Sequence, residues 1–86
     1  MKHVILEQRM RRNLKHLNDL GYTQEELASL AGVSRVQINR VLNGDGEPRL
    51  KTCEQLAVSL GMDPTAMLLP AEEFDSIAQT ICVTPA

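Results

Sequence analysis

Aromatic side chains are almost missing from this 86-residue chain, which has no Trp and only Tyr22 and Phe74 as aromatic rings. Single-stranded nucleic acid is held on platforms of several exposed rings, so that mode of recognition is excluded. No apolar run approaches the about 18 residues of a membrane-spanning helix. The N-terminus turns charged at Glu7, too early for a secretory signal, and the expected location is cytoplasmic. Two cysteines, Cys53 and Cys82, are too few for a disulfide scaffold or an all-cysteine zinc site. His3 and His16 have no ligand partner at a useful spacing, and the Asp45–Glu47 loop falls short of a calcium ligand set. No metal and no cofactor is expected. Ser29, Ser34, Ser59 and Ser76 have no matching His and acid, and there is no glycine-rich phosphate loop, so an enzyme is not expected.

Lysine and arginine stop at Lys51. Residues 1–51 carry all nine of them with six acids, a net +3, and residues 52–86 carry five acids alone, a net −5. The overall −2 thus hides a basic part suited to an anionic partner and an acidic part facing something else.

The patterns that are present are helical. Leu6, Met10, Leu14 and Leu17 make one stripe of a helix over about Val4–Leu20, which Gly21 stops. Thr23-Gln24-Glu25-Glu26 is a capping box with Tyr22 and Leu27 as its hydrophobic staple, and the second helix ends at Gly32. Ser34-Arg35-Val36-Gln37 is another box, stapled by Val33 and Ile38, with Ile38, Val41 and Leu42 directed inward. A turn-rich loop, Asn43–Pro48, follows. The fourth helix covers about Leu50–Leu60, with the stripe Leu50, Cys53, Leu56, Ala57 and Leu60. Asp63-Pro64 predicts a short fifth helix near Pro64–Leu69. Phe74, Ile77, Ala78 and Ile81 predict a sixth, amphipathic helix over about Ala71–Cys82, with Val83–Ala86 frayed.

Two capped helices joined only by Gly32-Val33-Ser34 must cross steeply, which is the geometry of a helix-turn-helix at 24–43. Small Ala28 permits close approach, and Gly32 accepts the positive φ of the turn. The outward side of the third helix carries Val36, Asn39, Arg40 and Asn43, with Arg35 and Gln37 near its start. An arginine there suits guanine, an amide suits adenine and Val36 suits a thymine methyl.

The stretch Thr23–Gly44 resembles the phage lambda repressor-like family, also called XRE or Cro/CI-type. The resemblance extends to Asn13–Leu17, Pro48–Leu50 and Leu56–Gly61, so that it covers about residues 5–69. It implies an all-α fold of five helices over residues 1–69, with residues 70–86 as an additional tail. It further implies Arg35, Val36 and Arg40 as the main base readers and Gln37 and Asn39 as secondary ones. Gln24 and Asn43 match the family's phosphate contacts, with Arg9, Arg12, Asn13, Lys15, Arg49 and Lys51 as further electrostatic candidates.

The expected function is a phage or bacterial repressor that binds double-stranded DNA as a homodimer at a near-palindromic operator. Met67, Leu68, Phe74, Ile77 and Ile81 are the expected dimer or partner surface, with Phe74, Ile77 and Ile81 folding back over the domain's own core as the less favoured reading of the tail stripe. The alternative is an antitoxin-like or antirepressor-like module whose acidic tail binds a protein partner.

Overall fold

The computed structural model describes residues 2–82. The expected fraying of Val83–Ala86 and the side chain of Cys82 lie outside the described residues. Five α-helices and one 3₁₀ turn make up the regular structure: α1 Lys2–Asp19, α2 Gln24–Ala31, α3 Arg35–Leu42, α4 Leu50–Ser59, the turn Ala66–Leu68, and α5 Ala71–Cys82. No strand occurs among the described residues.

Local chemistry sets the start and stop of the central pair. Thr23 Oγ1 accepts from the Glu26 N–H while Glu26 Oε1 accepts from the Thr23 N–H, closing the first box. Ser34 and Gln37 close the second in the same reciprocal way. Gly32 ends α2 in the left-handed region, at φ 72°, where any side chain would be strained.

Met10, Leu14 and Leu17 of α1 meet Leu27, Ala28 and Ala31 of α2, Ile38 of α3, and Cys53, Leu56 and Ala57 of α4 in one core. α2 packs on α3 and α4, and α5 packs on α1. The stripes are shorter than their sequence periodicity. Leu6 and Leu50 lie near the N-terminal ends of their helices and are 37% and 49% exposed. Burial pushes the Cys53 thiol up to about 12, which keeps it protonated and consistent with a packing role.

The expected helix at Pro64–Leu69 is instead the 3₁₀ turn Ala66–Leu68. Asp63 Oδ1 accepts from the backbone and side chain of Thr65, and Pro70 supplies no N–H to continue the helix. This short turn is fastened from below by Asn13, whose Nδ2 donates to the carbonyls of Met67 at 2.9 Å and Leu69 at 3.0 Å.

Asn13 and two expected interface residues are therefore corrected. Asn13 is completely buried, with its amide used inside the fold, so it is not available to a phosphate. Met67 and Phe74 are likewise completely buried within the protomer and offer no surface to a partner. Leu68, Ile77 and Ile81 pack against the same core but stay partly exposed.

Candidate nucleic-acid interface

α3 buries Ile38 and half-buries Val41 and Leu42, which fixes its rotation about its own axis. Arg35, Val36, Gln37, Asn39, Arg40 and the following Asn43 are consequently all exposed. Val36 is 60% exposed, more than any other large hydrophobic side chain among the described residues. An apolar side chain in that position gains nothing from the fold; it gains only when something apolar covers it.

The polar residues of this face differ in how far they are committed. The Arg40 guanidinium makes no ion pair or hydrogen bond with any of the described residues. Arg35 lies 3.8 Å from Glu25 Oε1, a long contact between two largely exposed groups, which holds the guanidinium weakly. Gln37 uses its Oε1 to close the α3 capping box. Asn39 Nδ2 donates to Gln24 Oε1 at 3.2 Å, and Asn39 Oδ1 accepts from Asn43 Nδ2 at 3.0 Å. Gln24, Asn39 and Asn43 thus form a row of amides from the start of α2 to the end of α3.

Shallow depressions border α3 on two sides. One is lined by Thr23, Gln24, Glu25, Arg35 and Asn39. The other, toward α1, is lined by Gln8, Arg11, Arg12, Lys15, Leu42, Asn43 and Gly44. Lys15 on α1, Arg49 just before α4 and Lys51 on α4 are exposed cations.

The arginines of α1 are used differently from the sequence expectation. Arg12 forms a two-pronged pair with Asp75 of α5, at 2.6 and 2.7 Å. Arg9 Nη1 donates to the Leu68 carbonyl at 3.4 Å. Both cations are thereby turned toward the C-terminal part of the chain. Arg11, absent from the expected site, donates from Nε to the Val41 carbonyl at 3.0 Å and from Nη2 to the Gly46 carbonyl at 2.9 Å. It ties the end of α3 and the following loop to α1, which sets where α3 stands. Its partners lie 30 and 35 residues away, so no local pattern announces them. Gly46 fits the same junction because an added Cβ would meet Arg40 Cβ at 3.3 Å.

No group of three or more His, Cys, Asp or Glu suited to a metal occurs among the described residues, and none of their helices is long and apolar enough to cross a membrane. No curated protein and no solved structure matches the chain significantly. The helix-turn-helix family model does match, over residues 9–66, from within α1 to the start of the 3₁₀ turn. The match contains both capping boxes, the Gly32 turn and the exposed face of α3. On that span, which is most of its length, the chain belongs to the helix-turn-helix family of lambda repressor-like, XRE-type DNA-binding transcription regulators.

Proposed function

We propose that the protein is a repressor that binds a near-palindromic operator as a homodimer, with α3 in the major groove, and blocks a promoter by occupying it. The single observation that carries this reading is the face of α3. It holds two weakly committed arginines and an unsupported apolar side chain, Val36, where a bound duplex would meet them. Arg35 and Arg40 have the fork geometry that pairs with guanine, and Val36 suits a thymine methyl. Gln24 and Asn43 anchor the backbone on either side, and Lys15, Arg49 and Lys51 add charge. Such contacts set register and salt dependence, while the base contacts set sequence.

A dimer follows from the small surface that one module buries and from the two-fold spacing such modules use, half-sites about one helical turn apart. The part of α5 left partly exposed, Ile77 and Ile81, together with Leu68, is the surface assigned to that contact. Repression of its own promoter is the simplest regulatory circuit for this chain.

Fluorescence anisotropy tests the reading. The probes are the duplex directly upstream of the reading frame and a scrambled duplex, each over a salt series. Tight binding to the upstream duplex alone, weakening steeply with salt, is the expected result. Equal, weak binding to both would overturn it.

A further inference from the structure

We propose that Asn39 is a positioning residue that couples the two phosphate-anchoring amides and reads no base itself. The inference rests on the DNA-binding reading above.

Asn39 stands on the exposed face of α3, between Val36 and Arg40, where an amide suggests adenine recognition. Pairing with adenine requires the carbonyl oxygen and an N–H of one amide together. In Asn39 both are already engaged: Oδ1 accepts from Asn43, and Nδ2 donates to Gln24. Each bond spends one of the amide's two N–H groups or one of its oxygen's two lone pairs, and together they hold the amide along the row between Gln24 and Asn43.

The direction of the row has a consequence at each end. Asn43 donates to Asn39, and Asn39 donates to Gln24 Oε1. Gln24 therefore turns its carbonyl oxygen inward and leaves both N–H groups of its amide for an outside acceptor. Asn43 spends one N–H and keeps the other. A phosphate oxygen accepts and never donates, so Gln24 is held in the only orientation of its amide that serves it. Without Asn39 the Gln24 amide rotates freely, and half of its orientations offer a carbonyl oxygen to the phosphate. The row also links the N-terminus of α2 to the C-terminus of α3, so one side chain sets the spacing of both anchors.

The experiment uses the full-length chain and duplexes selected by the wild type from a pool with a randomised core. Asn39→Ala replaces an exposed mid-helix residue with a better helix former, so the fold is kept, and an unchanged melting temperature verifies this. The variant is expected to bind every selected and scrambled duplex about three- to tenfold more weakly, the loss from one or two exposed hydrogen bonds. Its selected sequence is expected to stay that of the wild type. In a Gln24→Ala/Asn43→Ala background, Asn39→Ala is expected to cost nothing further, because it acts only through those two residues. A changed base preference, an additive loss in that background, or no loss in the wild type would each overturn the proposal. Failure of the wild type to enrich any sequence is a separate result, which removes the DNA reading and this inference with it.

Discussion

Asn13 and Asn39 illustrate how one residue type divides its work between fold and surface. Asn13 is sealed under the 3₁₀ turn and donates to two backbone carbonyls, while its Oδ1 accepts from Arg12. Removing it leaves the buried Met67 carbonyl and the partly buried Leu69 carbonyl short of a donor. Asn13→Ala is therefore expected to lower unfolding free energy by about 2 kcal/mol or more, read by urea denaturation. Protein that remains folded should keep the wild-type sequence preference. Arg40 presents the reverse case. It is exposed, and its side chain bonds to none of the described residues, so Arg40→Ala is expected to leave the melting temperature nearly unchanged. Its effect belongs to DNA: a loss of about 1–3 kcal/mol in binding and relaxed preference at one base pair, measured by competition with single-substituted duplexes.

Elements show where sequence reasoning succeeds and where it stops. Both capping boxes and the Gly32 turn involve residues at most three or four apart, so the spacing alone reveals them. The helix over Ala71–Cys82 is equally legible, because Phe74, Ile77, Ala78 and Ile81 share one side of it. The roles of Arg9, Arg11 and Arg12 are not legible, since each is settled by a partner at least 30 residues away. The same distance hides the clasp between α1 and α5. There the hydrogen bonds of Arg12 hold the Asp75 carboxyl below the usual carboxylate range; slight burial works against this, and the charges of Arg12 and His16 add to it. Because the folded value lies below the unfolded one, about 3.9, the clasp stabilises the protein above that pH and is lost as pH falls through the folded value. Both side chains are more than a third exposed, so the contribution is small. Asp75→Asn is expected to cost less than about 1 kcal/mol at pH 7. Its stability curve should merge with that of the wild type as pH drops below the folded value, where the wild-type carboxylate also becomes neutral. A difference that persisted in acid would place the effect in packing instead.

At the scale of the whole molecule, the acidic C-terminal part has a structural use. Asp75 holds Arg12 and also approaches His16 Nε2 at 3.3 Å, and Phe74 presses edge-on against His16 with ring centroids 6.3 Å apart. Phe74 and Ala78 are completely buried. α5 is thus part of the core around α1, although the family match ends before it at residue 66. This separates two effects that a tail deletion would confuse. Phe74→Ala removes a large side chain from inside one protomer and is expected to cost about 3–5 kcal/mol, a large share of the stability of a small domain. If that loss is internal, the drop in melting temperature is the same at low and high protein concentration. A loss acting through subunit contact would instead shrink or grow with concentration, because association stabilises by mass action. Ile81, only partly buried, should behave in that second way: Ile81→Asp is expected to leave the monomer folded and to shift sedimentation toward the monomer. A Phe74→Ala deficit that vanished at low concentration would move Phe74 back to the dimer surface and overturn the assignment of α5 to the core.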